Sequence, residues 1–520
     1  MRTASIVSCL VIAMCMLGTA MADDGPENVI NFVFSGMVPP APSSSPCPSP
    51  STCPTPSPCT GTCPAPAFST QPTVPSIFQS LTEDEIVSVR DWLFTQEVFN
   101  LTAFDNATLE DNYIFMMDLL PPNKAQALAY LDEDGPTPDR NAHVVLYLGQ
   151  QERVRELSVG PLPVGPTTGF TYWDEENFLF DIPFNSRIVD AVEYAFINDY
   201  VMVPLGYAIN DIMQESFGST FSNCSSDICL TYTDSAPRSN DTHPNSRQTW
   251  FQWTYYTDAL YIQSIGLETL VYHNSTDPND FYLMTLVYNG QNYSSVDDFI
   301  NDYNNNTLNK ISITPDVAWS TFERAGPVRK GDTIPGSQQY EPAGKRFTVS
   351  GNHVEYLGWS FDWNNSPITG AALWDIRFQG DRIVYEVAMQ ELLAPYTGYG
   401  PFQSNSVYFD TAWGFGDESY GLVTGVDCPP TAVYFDEVFG YQSDNPYLYH
   451  NALCIFERDE AAPIRRHFDS NFAGGYNFAA GTPDHSLVVR TMVSDYNYDY
   501  QIDFVFHLNG VFELDYAASG

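Results

Sequence analysis

One tract divides the chain. Residues 39–75 are dominated by Pro, Ser, Thr and Cys ("PPAPSSSPCPSPSTCPTPSPCTGTCPAP"). Proline fixes φ and gives no backbone donor, and the tract carries almost no apolar side chains. It cannot bury a core, so residues 23–78 read as an extended stalk open to O-glycosylation. Its four cysteines, Cys47, Cys53, Cys59 and Cys63, either cross-link stalks or bridge locally. Ahead of it, Arg2 precedes an uncharged run over residues 4–22, closed by Ala20-Met21-Ala22 before Asp23-Asp24. That is the pattern of a cleaved export signal at 1–22. The run is also just long enough to span a bilayer, so an uncleaved signal anchor, holding the chain to a membrane, is the alternative.

Ordered structure is predicted to begin sharply after the stalk. Thr82 and Glu85 form a capping box, Leu81 can staple to Ile86, and Ile86, Val89 and Leu93 make a helical stripe. "HVVLYLG" at 143–149 reads as a buried strand ahead of "VGPLP" at 159–163, giving a small α/β unit over 79–170. A second such unit, 171–315, runs from a helix-like "RIVDAVEYAF" at 187–196 through the strands "LETLVYH" and "FYLMTLVYNG". It turns at Asn289-Gly290 and ends in a helix-like "VDDFINDY". From about Arg346 the pattern becomes long strands, including a hairpin turn at Gly380-Asp381, and "DYQIDFVFHLNGVFELDYAASG" closes the chain in the same style. The fold class expected is α+β: two small α/β modules followed by a large antiparallel β-sandwich over 340–520.

Charge and cysteines set the compartment and exclude one class of partner. With 64 acidic against 21 basic residues the net charge is −43. Nucleic acid needs a basic face and is excluded as a partner, whereas small cations are attracted by such a field. Sequons stand at Asn100, Asn106, Asn223, Asn240, Asn274, Asn292, Asn305 and Asn364, the last weakened by Pro367 after Ser366. Their density fits a secreted chain or one on the extracellular face of the plasma membrane. Outside signal and stalk an even number of cysteines remains, and neighbours are paired: Cys224 with Cys229, and Cys428 with Cys454.

Common catalytic devices are missing. There is no GxSxG elbow, Walker loop, HExxH or strand-borne GxGxxG, and no two of the eight His share an i, i+2 spacing. The informative segment is "VSDYNYDYQIDFVF" at 493–506. Aromatic strands of this kind usually fill cores. Yet Asn497-Tyr498-Asp499-Tyr500, with Ser494 before and Asp503-Phe504 after, resembles the topaquinone signature of animal-type copper amine oxidases. Other segments agree in order. "YFDTAWGFGD" contains Asp410 with Gly414 and Gly416 and resembles the family's catalytic-base segment; "APY" places Tyr396 fourteen residues earlier. "GVDCP" and "NALCIFERDEAAPIRRH" resemble the strands joined by the family's disulfide.

The resemblance implies an activity: oxidation of a small primary amine by O2 and water to an aldehyde, ammonia and hydrogen peroxide. It implies that Tyr498 is the topaquinone precursor, Asp410 the base that takes the α-proton, Tyr396 a hydrogen-bond partner of the quinone, and Asn497 a restraint on its ring. A homodimer is also implied. Tyr496 departs from relatives by placing a bulky phenol where the substrate channel runs. The family's His-x-His copper pair is expected beyond Gly520, so residues 1–520 hold no copper ligands on this reading and should be inactive alone. The competing function is a non-catalytic extracellular adhesion or amine-binding glycoprotein of the same fold without copper.

Overall fold

The computed structural model describes residues 75–519 apart from 177–181, 223–227, 241–242, 322–325, 328–333, 390, 410–412, 420, 471–476 and 496–497. The signal, nearly all of the stalk with its cysteines, Cys224, Asp410, Tyr496 and Asn497 therefore lie outside the described residues.

The first helix, Glu83–Phe94, starts where its sequence dictates. Thr82 accepts from the Glu85 amide and Glu85 reaches back to the Thr82 amide, so both orphan donors are satisfied. Ile86, Val89 and Leu93 then pack with Ile114, Met117, Leu146 and Leu157 on one face of a sheet. That sheet is a meander of Asn112–Leu120, Arg140–Leu148, Arg153–Leu162 and Gly169–Tyr172. It does not stop there. Met116 pairs with Tyr441 and Met117 with Gly440, carrying the sheet on through Val433–Tyr441, Tyr447–Ser470, Asn477–Asp495, Tyr498–His507 and Phe512–Ser519.

The opposite face of the meander gives Tyr113, Phe115 and Tyr147 to a core shared with a second, six-stranded sheet, including Trp253, Leu267 and Tyr288. Helices over residues 191–217 cover this core. The predicted helix at 187–196 starts later than expected: Asp190 is the cap, its carboxylate accepting from the Glu193 amide, and the helix is Ala191–Ile197. Arg187 instead stays extended, its guanidinium turned to Glu193. The turn at Asn289-Gly290 has both residues at positive φ, as a two-residue hairpin requires, and Val296–Asn304 is helical with Ser295 as its cap.

A third sheet of five strands spans Phe347–Ser350, His353–Tyr356, Trp359–Ser366, Gly370–Phe378 and Asp381–Ala388. Its hairpin turns one residue earlier than the sequence suggests. Gln379 and Gly380 take positive φ while Asp381 already pairs with Phe378. This sheet lies over the outer half of the long first sheet, with Phe361 stacked on Phe506 at 4.3 Å, and together they make the antiparallel β-sandwich. Cys428 and Cys454 are joined by a disulfide. Cys229 is also disulfide-bonded. Asn364 is buried, so its sequon is closed by the fold. No helix among the described residues is long and apolar enough to cross a membrane.

Candidate functional site

Strand periodicity decides where Tyr498 points. In Tyr498–His507 the even-numbered residues Tyr498, Tyr500, Ile502, Phe504 and Phe506 all enter the sandwich core. Tyr498 is 7% exposed and its ring lies nearly parallel to that of Tyr500, 6.1 Å away. The odd-numbered face packs Val505 against the disulfide cluster and carries a braced polar pair. Arg490 donates through Nε and Nη2 to both oxygens of the buried Asp503, at 2.7 and 2.6 Å, and through Nη1 to the Asp427 carbonyl at 2.6 Å. This ties the strand to the turn that carries Cys428. At its start, Asp495 pairs with Tyr498 and Ser494 donates to Asp499 at 2.7 Å.

Tyr396 belongs to the same buried cluster as Tyr498. It follows the short strand Leu393–Pro395, which pairs with Val407–Phe409, and its amide donates to the Ser406 carbonyl at 3.0 Å. Its ring meets Tyr408 edge-on at 5.4 Å, and Tyr408 in turn lies 5.8 Å from Trp413. The structure thus brings Tyr396 and Tyr498 into one aromatic core. Asp410 and Asn497 lie outside the described residues, although Phe409, directly before Asp410, pairs with Leu393.

The glycines after Asp410 have physical reasons. Gly414 sits at φ +88°, a conformation that costs an L-residue strain, and a Cβ on Gly416 would overlap the Ser366 carbonyl. They let residues 413–419 press flat on the sandwich. Two backbone bonds clamp this loop: Asp417 N–H to the Pro367 carbonyl and Ser494 N–H to the Glu418 carbonyl, both 2.9 Å. The second reaches the strand that leads into Tyr498.

Sequence reasoning missed Asp417, the last residue of "YFDTAWGFGD". Burial pushes its carboxyl up to about 7, against the opposing hydrogen bonds from Tyr447 and Tyr449. Tyr447 O–H donates to it, and burial raises that phenol as well. A carboxyl that titrates near neutrality can exchange protons under working conditions. The only signal in the sequence was its place in the motif, because the groups that set its acidity come from Tyr447–Ser470. Among the described residues no three His, Cys, Asp or Glu side chains converge so as to hold a metal ion, and the residues described do not by themselves fit copper.

Comparison with known proteins gives this arrangement a context. Residues 348–520 match the family described as "Copper amine oxidase, enzyme domain", and residues 84–166 match "Copper amine oxidase, N2 domain". The copper-containing diamine oxidase of Mus musculus is 34% identical over 469 residues, covering 85% of this chain and 60% of that protein. That of Homo sapiens is 32% identical, covering 88% of this chain and 62% of that protein. The crystal structure of Pichia pastoris lysyl oxidase superposes with a TM-score of 0.78 at 27% identity, over 87% of this chain and 61% of that one. Aspergillus nidulans amine oxidase gives 0.75 at 26% identity. The chain thus spans about 60% of the length of the curated relatives it matches. With an N2-domain match, an enzyme-domain match and a sandwich that buries the motif tyrosine, the chain shares sequence and fold with the copper amine oxidase family over the regions matched.

Proposed function

We propose that this protein oxidises a small primary amine with O2 and water, releasing an aldehyde, ammonia and hydrogen peroxide, and that Tyr498 is the precursor of its topaquinone. The observation that carries the reading is the placement of Tyr498 on the inner face of the sandwich, in one buried cluster with Tyr396. When formed, the quinone supplies an electrophilic carbonyl that a primary amine can attack. Tyr500, stacked on Tyr498, and the Arg490–Asp503 pair behind the strand hold that ring in one orientation. Preorganisation of this kind lowers the cost of reaching a reactive geometry.

Asp410 is the proposed acceptor of the substrate's α-proton, Tyr396 the proposed hydrogen-bond partner of the Tyr498 ring, and Asn497 its proposed lateral restraint. The net charge of −43 raises the local concentration of protonated amines, which suits a cationic substrate. Copper is the metal the family implies. The described residues show no site for it. Export to the extracellular side and assembly as a homodimer belong to the same proposal, supported by sequon density and by the symmetric pairing common among oligomers.

The test is Asp410→Asn in the natural full-length protein. The change keeps the shape and removes the base. Quinone staining should persist while amine turnover falls by about 10²–10⁴-fold, the usual contribution of a general base. Near-normal turnover would assign proton transfer elsewhere.

A further inference from the structure

A cavity of about 1210 Å³ is lined by Ser186, Arg187, Arg238, Ser246 and Arg247 from the second unit and by Trp413 from the loop after Asp410. Three of the chain's 21 basic residues meet here, in a protein with 64 acids. Arg187 and Arg247 are 5% and 4% exposed. They share one carboxylate. Arg247 donates to Glu193 through Nε at 2.8 Å and Nη2 at 2.7 Å, and Arg187 Nη2 stands 2.8 Å from Glu193 Oε1.

Two other titratable groups, His273 and Asp190, stand beside this pair. His273 Nδ1 lies 2.7 Å from the same oxygen, and burial pushes this imidazole down, toward its neutral form. Asp190 takes the Tyr113 hydroxyl at 2.6 Å and the Glu193 amide at 2.8 Å, and burial pushes its carboxyl up. Against the carboxyls of Glu193 and Asp190 stand three arginines, Arg187, Arg238 and Arg247. Arg187 Nε is buried and has no hydrogen-bond partner among the described residues, a state native proteins rarely leave a donor in. Arg238 is held rigid, donating to the Asn405 carbonyl at 2.8 Å and to its side-chain oxygen at 2.7 Å. Two acids also border the cavity, Glu152 and Asp280, but both are exposed to solvent, which screens them.

We infer that this cavity binds an oxyanion, a carboxylate or phosphate group, against Arg187, Arg238 and Arg247. Guanidiniums suit both groups by charge and N–H donors, and Arg187 Nε is the donor left without a partner among the described residues. Through Trp413, Tyr408 and Tyr396 the cavity wall is continuous with the aromatic core around Tyr498. If the source is a carboxylate on an amine substrate, that part rests on the amine oxidase reading; free phosphate is the other source. Binding itself is independent of catalysis.

Calorimetric titration of the purified protein, deglycosylated because the sequon residue Asn274 also lines the cavity, reads this directly. Inorganic phosphate should bind at one saturable site. Ser239→Asp, an exposed change on the lining, and Arg238→Gln should each weaken it about tenfold or more while leaving the melting curve in place. An ω-amino carboxylate such as 6-aminohexanoate that competes with phosphate marks a substrate subsite, and phosphate binding without such competition marks a site for the free anion. Absence of saturable phosphate binding, or binding that neither variant alters, overturns the proposal.

Discussion

Asn364 and Asn292 both stand in glycosylation sequons, and burial separates them. Asn364 is 5% exposed and its side-chain oxygen accepts from Trp374 Nε1 at 2.8 Å, whereas Asn292 is exposed. A folded chain has no room for a glycan at Asn364, so glycopeptide mapping of protein expressed through a eukaryotic secretory pathway should find it bare and Asn292 occupied. A glycan on Asn364 would mean that the Gly370–Phe378 strand does not pack as described. Asp417 makes a second prediction at this scale. Its folded acidity, near 7, lies above the unfolded carboxylate range, so the folded state binds the proton more tightly. Its contribution to stability is full below about pH 4 and is lost as pH rises through 7. Asp417→Asn removes that titration and should shrink the fall in unfolding free energy between about pH 4 and pH 8 by up to about 4 kcal/mol. An unchanged pH profile would show that the carboxyl is hydrated. Tyr498 was legible because a short motif carries it. Asp417 was not, because its acidity depends on tyrosines brought in by a distant strand.

Elements with local causes could be read directly, and those with tertiary causes could not. The Thr82–Glu85 box and the Asn289-Gly290 turn are fixed by residues a few positions apart, and both are found as expected. The start of the Ala191–Ile197 helix was misplaced because Arg187 is drawn to a buried carboxylate that helical periodicity does not reveal. The glycines of the 413–419 loop stood out in the sequence, but their reason, contact with the Ser366 backbone, needed the sandwich. The turn carrying Cys428 is held twice, by its bond to Cys454 and by Arg490 reaching the Asp427 carbonyl. Replacing both cysteines with Ala frees a loop of 26 residues in the unfolded chain and should cost about 3 kcal/mol. Chemical denaturation measures this. A loss below about 1 kcal/mol would indicate that the Arg490 bracket alone fixes the turn.

Across the whole molecule, the pairing of Met116 with Tyr441 joins the first module to the strand system that carries Tyr498. Pairing so distant in sequence leaves no mark in hydrophobic period, which is why two modules and a sandwich were expected without the sheet that connects them. Arg377 and Arg382 tie the third sheet to the first module as well, donating at 2.5 and 2.6 Å to Asp132, the last residue of the helix Lys124–Asp132. This continuity makes the environment of Tyr498 a property of the full assembly of sheets, and an amine oxidase of this kind requires one chemical event there, conversion of Tyr498 to a quinone. Protein secreted by copper-fed cells from the whole coding region should be digested and the peptide containing Tyr498 analysed by mass spectrometry, beside quinone staining of the intact protein. Tyr498 should be recovered in an oxygenated, quinone form, the protein should stain and release hydrogen peroxide with a primary amine, and Tyr498→Phe should lose all three signals. Recovery of Tyr498 as unmodified tyrosine from copper-loaded, aerobically purified protein would contradict the proposed function.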